Sequence, residues 1–407
     1  MKKKIILITL AVVCTAFFVY FVKDVFGNTE SEKGSSIITE FNFKRIMIDD
    51  GREPPPSFGL DAGHITCDEY KDIVAGQYFY KNPGGDMTGE WKRSKLPGFP
   101  EIDAVLIVDV DGDEYGDVIG IRLPDVYWLE ADDTEGKSWS VRAKIGEIPR
   151  GPHGTSTQGF ITGQVVPGKR PQIILASRGV YYFEIPDNPE EGNWPMTRVT
   201  ESPNSEEGLA LADMNGNGHL DIIGCIDKTQ RPNPVGWYEN PGDGSGDWTY
   251  HQIGTTGWVA DRFEVTDING NGRLDIVVGV ANGDDDGVYW FESPEDPTQP
   301  DWERHTIVIQ KLCNSMSMAD MNNNGIMDII LGQHYTTWGD PPTETERKLR
   351  IFTNDGSGNF TEHFIDKGVE SHLGALVFDL NGNGLYDIVN IGYSDFQYVH
   401  IWRNDSR

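Results

Sequence analysis

Cysteine is scarce in this chain. There are four in 407 residues, and Cys14 lies in an N-terminal apolar run. Cys67, Cys225 and Cys313 remain, an odd number without metal-ligand spacing, so each reads as a buried free thiol rather than part of a disulfide framework. Positive charge is also short: 34 Lys and Arg stand against 64 Asp and Glu, a formal net charge of −30. That balance argues against nucleic acid or an anionic membrane surface as a partner. Long amphipathic helical patterns are missing, whereas Gly and Asn-Gly turns are abundant, which reads as all-β.

What the chain has instead is one loop repeated five times. It occurs at Asp109–Asp117, Asp213–Asp221, Asp267–Asp275, Asp320–Asp328 and Asp379–Asp387, each followed by Ile or Val. Carboxylate or amide oxygens stand at positions one, three, five and nine. They are Asp109, Asp111, Asp113 and Asp117; Asp213, Asn215, Asn217 and Asp221; Asp267, Asn269, Asn271 and Asp275; Asp320, Asn322, Asn324 and Asp328; and Asp379, Asn381, Asn383 and Asp387. Hard cations such as Ca²⁺ take six to eight oxygens, and a turning loop aims alternate side chains at one centre. Gly and Asn fill the places where the backbone must turn left-handed. The loops open like an EF-hand but have no Glu at position twelve and run on into strands, so structural Ca²⁺ is expected rather than a calmodulin-like switch. The first loop has four Asp, the others two, so the Asp109 loop is expected to bind most tightly, although it has Glu114 where the others have Gly.

The loops belong to a repeat of very roughly fifty residues, a period that suggests a propeller or array. Each repeat has a strand ending in the Asp loop, a short apolar strand, an aromatic strand, and a strand opening on Trp or Phe. Seven aromatic strands are present, among them Gly179–Glu184 and Gly287–Glu292. Six fourth strands start near Trp91, Trp139, Trp194, Trp248, Trp302 and Phe360. The N-terminal stretch from Phe41 to Ile48 supplies the seventh, giving a seven-bladed β-propeller closed by the N-terminal strand, with no open sheet edge. Two blades lack a clean Asp loop. In the third, Lys169 and Arg170 are placed to substitute for the metal charge.

The Asp loops followed by Ile-Val, together with Asn-Asp-Gly-Ser-Gly-Asn-Phe at Asn354–Phe360, resemble the FG-GAP/VCBS repeats of calcium-binding β-propellers over residues 39–407. The aromatic strand plus Asn-Pro-Gly, followed by Trp-x-x-His-x-Ile, is similar to the propeller half of aldos-2-ulose dehydratases, enzymes that dehydrate keto-sugars. The first resemblance implies several structural Ca²⁺ ions; the second implies a sugar lyase or dehydratase.

Residues 1–27 read as a signal peptide or membrane anchor, and residues 28–38 as a linker. Lys2, Lys3 and Lys4 precede an apolar run from Ile5 to Val22, and cleavage after Gly27 fits, as does a retained anchor. The body is then secreted or at the cell envelope, where free calcium is plentiful.

The connections from strand four to the next blade, and from strand two to three, lie on the face opposite the Asp loops. A pocket is expected there, around the channel. Candidate catalytic residues are His153, Arg262, His334, Tyr335 and His372; candidate ligand-binding residues are Trp258, Asp261, Glu264, Asn314 and Trp338. Aromatic platforms with carboxylates and Arg suit carbohydrate. A base such as His or Tyr beside Arg suits a lyase. His153, His334 and His372 could together hold a transition metal. More ordinary readings stand beside these. Asp261 and Arg262 could pair across blades, Glu206 and Glu207 read as solvated, and the recurring His251, His305 and His363 read as structural. His219, inside a calcium loop, is expected to contribute its backbone carbonyl. Two functional classes follow: a module binding carbohydrate or an envelope or extracellular protein, and a carbohydrate-active lyase or dehydratase.

Overall fold

The computed structural model describes residues 37–407 apart from 50–58, 98–101, 103, 202–206, 247, 282, 284–285, 312, 314, 334–346, 370 and 393–397. The segment read as a signal or anchor, residues 1–27, lies outside the described residues. Among the described residues no helix is long and apolar enough to cross a membrane.

Seven four-stranded antiparallel sheets follow one another along the chain. Neighbouring blades touch through their first strands, which places those strands innermost around the channel. Blade 7 is made as expected: the strand Phe43–Asp49 pairs with Val399–Asn404, so the first described strand completes the last sheet. The only helical turn among the described residues is Pro189–Glu191.

The aromatic strands carry the packing. Each of seven apolar clusters draws its side chains from two adjacent blades, so there is one core per blade interface. Trp128, Trp237, Trp402 and Tyr182 are almost wholly buried there. The tryptophans that open the fourth strands do a second job. The indole N–H of Trp91, Trp139, Trp194, Trp248 and Trp302 donates to the carbonyl of Met87, Gly136, Pro189, Ser245 and Gln299, pinning the preceding turn. An indole buried with its N–H unsatisfied would be costly, so the turn and the core stabilise each other. Cys225 and Cys313 are buried free thiols, as the composition suggested. Cys67 is free but exposed, because it sits in the first blade's loop beside Tyr115 rather than on a strand.

One core group makes stability depend on pH. His400 lies in the blade 7 strand that receives the closing strand, opposite Met47, and is 6% exposed. Burial, with a smaller push from the Arg45 charge, moves its imidazole down to about 4. The unfolded chain therefore takes up a proton between about pH 6.5 and 4 that the folded chain does not, and stability falls as pH drops through that window. The full loss is about 3 kcal/mol. His400→Gln is expected to remove this part of the acid sensitivity. Denaturant midpoints at pH 7 and pH 4.5 read it out; equal pH dependence in both proteins would contradict the assignment.

Candidate functional site

The five Asp loops share one geometry. Positions four and six are left-handed in every copy, at Gly112 and Glu114, Gly216 and Gly218, Gly270 and Gly272, Asn323 and Gly325, and Gly382 and Gly384. Glu114, at φ +77°, is the one residue of these loops with a long side chain held in this region. The carboxylate at position one accepts two main-chain N–H groups. In blade 4, Asp213 Oδ1 takes Asn217 N at 2.9 Å and Oδ2 takes Gly218 N at 2.7 Å.

Position nine has a different task. Asp221 Oδ2 accepts Met214 N and Oδ1 accepts Asn240 N, both at 2.8 Å, which ties the loop to the end of the aromatic strand. Of the two blades without an Asp loop, blade 1 keeps this tie whole, and blade 3 keeps its loop half. Asp72 accepts Thr66 N and Asn82 N in blade 1, and Gln172 Oε1 accepts Val165 N in blade 3. The last position of the motif therefore holds the loop's main chain in every blade, with or without an Asp loop.

The five loops carry the oxygen donors that a hard dication takes. Carboxylate oxygens of Asp109, Asp111 and Asp117 lie within 4.8 Å of one another. Burial, with repulsion from Asp111 and Glu130, pushes Asp117 up to about 8. Burial with repulsion from Asp213 pushes Asp221 up to about 7. Each carboxylate oxygen that accepts one N–H keeps a further lone pair for a cation.

Lys169 and Arg170 do not take the place of that cation. Lys169 lies beside Glu184, at 3.8 Å. Arg170 donates to Val110 O in the blade 2 loop and to Pro186 O, so it braces two blades. It follows a pattern: Asn82, Asn240 and Asn354 donate from Nδ2 to Leu380 O, Val165 O and Ile268 O, each the second residue of the preceding blade's loop.

On the opposite face, several candidate residues come together at the mouth between blades 3, 4 and 5. Lys228 Nζ is 2.6 Å from Glu207 Oε1 and 2.7 Å from His153 Nε2. Glu207 and Asp261 are each 3% exposed. Burial and the adjoining Glu207 charge push Asp261 up to about 7. Arg262 does not bridge blades through Asp261, its neighbour in the same strand. The two side chains pair at 3.7 Å within the strand, and Arg262 also donates to Gln158 Oε1 at 2.7 Å and to the Asp261 carbonyl at 2.6 Å. Trp258, 37% exposed, lies under the Arg231 guanidinium at 4.2 Å, and Arg231 donates to Lys228 O at 2.5 Å. One line of contacts thus runs from an exposed indole to a buried carboxyl pair. Glu264 is on the inner strand of blade 5, and burial alone pushes its carboxyl up to about 8.

His334, Tyr335, Trp338, Asn314 and Glu206 lie outside the described residues. His372 opens the inner strand of blade 7, opposite Ile391 in the ladder. The reading of Glu207 as solvated is overturned, because Lys228 compensates its charge inside the fold. Lys228 was missed although its position was legible: it stands in the connection between strands two and three of blade 4, on the face topology singles out.

A profile of the FG-GAP-like repeat matches residues 213–278 and 267–331. No curated protein matches the sequence. Among solved structures the chain is similar to an Agrocybe aegerita lectin described as recognising non-reducing terminal N-acetylglucosamine, with 17% identity, 80% of each chain covered and a TM-score of 0.50. It is also similar to BBS1N, solved in complex with ARL6DN, with 10% identity, 90% of this chain and 96% of that one covered, and a TM-score of 0.52. At these identities the likeness is one of fold. The chain is a seven-bladed β-propeller that carries FG-GAP-like repeats.

Proposed function

We propose that this propeller binds carbohydrate at the channel mouth between blades 3, 4 and 5, and that calcium fixes the Asp loops on its other face. The carrying observation is the Trp258–Arg231 stack joined through Lys228 to Glu207 and His153. An exposed indole offers a platform for a sugar ring, and the fixed cations and carboxyls beside it offer partners for hydroxyl or uronate groups. That a lectin shares the fold agrees with this reading. The apolar N-terminal run and the calcium loops support a place outside the cytoplasm, secreted or tethered at the envelope.

Trp258→Ala is expected to lower retention on the bound glycan at least tenfold, with melting unchanged because the indole is partly exposed. A glycan array followed by titration of the best ligand checks this. Equal affinity of variant and parent would remove this mouth as the binding site.

Asp261 favours a second reading, a sugar lyase or dehydratase. A buried carboxyl pushed up to about 7 beside Glu207 and Lys228 is suited to general acid–base work. Incubation with oligosaccharides and keto-sugars, read by mass spectrometry, separates the two. A product lighter by one water or an unsaturated fragment marks the enzyme; unchanged masses with a raised melting temperature mark the binding module.

A further inference from the structure

Blade 5 carries a second group of metal-ligand side chains on its outer strands, away from the channel. Glu292 ends the third strand (Gly287–Glu292), and Glu303 begins the fourth (Glu303–Ile309). They stand directly opposite each other in the antiparallel ladder, where like charges are destabilising. His305 projects to the same side. Its Nε2 is 3.2 Å from Glu292 Oε2 and 3.9 Å from Glu303 Oε1. One donor atom from each of the three lies within 4.8 Å of the others. The imidazole is stacked on Trp290 at 4.1 Å and 15°, so its direction is set before any ligand arrives. Glu292 Oε1 faces away, accepting Asn269 Nδ2 at 3.0 Å with Arg273 at 3.7 Å.

The protein contains its own comparison. Blade 4 repeats the Glu–His pair: Glu239 lies 2.8 Å from His251, His251 packs on Trp237, and Asn215 donates to Glu239. But Thr249 stands opposite Glu239. In blade 2, Ser140 stands opposite Glu130. The Glu–His pair is shared by blades 4 and 5, and in blade 2 Arg142 takes the histidine's place beside Glu130; the second carboxylate of blade 5 sits where blades 2 and 4 have a neutral hydroxyl. A cation held between the strands accounts for that added like charge.

We propose that Glu292, Glu303 and His305 form a site for a divalent transition metal of the zinc type. One imidazole nitrogen with two carboxylates suits zinc better than calcium, which prefers all-oxygen sets such as the Asp loops. Glu292 and His305 line an open cleft with Asn269, Trp290, Arg304 and Asn359, which leaves the pair reachable from solvent.

The test uses the full chain with calcium in excess, titrated with zinc chloride by calorimetry. The parent is expected to bind one zinc more than Glu303→Thr, which gives blade 5 the blade 4 pattern. His305→Ala is expected to lose the same zinc, and His251→Ala to keep it. Glu303 is largely exposed, so unchanged melting without zinc verifies that its variant folds. Equal zinc stoichiometry in the parent and Glu303→Thr would overturn the proposal. So would a parent that binds no zinc, or an equal loss in His251→Ala.

Discussion

Chelation of calcium is expected to lower the melting temperature by on the order of 20 °C. Each loop filled at about a hundred times its dissociation constant would contribute about 3 kcal/mol, and five loops together on the order of 10 kcal/mol. The position-nine carboxylates say why the effect is large. In blades 4 to 7 they are buried, tied to two main-chain N–H groups, and set against a second Asp of the same loop, as Asp221 is against Asp213. Without a cation that repulsion is borne by the folded state. Asp109→Ala is expected to cost more than Asp213→Ala, since the first loop gathers four carboxylates. Differential scanning fluorimetry with EGTA and with calcium added back reads both. A melting temperature indifferent to EGTA would rule out a stabilising metal in these loops.

Deleting residues 37–49 is expected to be still more damaging to cooperative folding. The closing strand serves two cores at once: Ile46 and Ile48 pack at the blade 1–7 interface, and Phe41 and Phe43 at the blade 6–7 interface. Losing these contacts costs on the order of 5 kcal/mol. It also leaves Val399–Asn404 as an open edge, which invites association. Broadened unfolding at lower temperature, with concentration-dependent light scattering, is the expected result. A truncated chain that melts like the parent and stays monomeric would show that the ring does not need its latch.

The blade count was legible because propeller repeats mark their own boundaries. Aromatic strands and the tryptophans after them recur, and even the missing fourth strand could be located from the other end of the chain. The loops were legible because their chemistry is periodic. The channel mouth was legible only in part. His153, Asp261 and Arg262 stood out by breaking the repeat, but Glu207 looked solvated because nothing nearby in sequence shows that Lys228 will meet it. Arg170 was misread for a similar reason: its charge suggested a substitute cation, while its role depends on a carbonyl in the preceding blade.

Gln172 separates two things that the Asp motif otherwise fuses. With a neutral amide at position nine, blade 3 keeps its loop tied to Val165 N and Val166 N without a carboxylate. If the Asp loops hold calcium as proposed, the number of ions is a setting independent of the number of blades. Substitution at position nine could then change it one blade at a time while leaving the ring's shape alone.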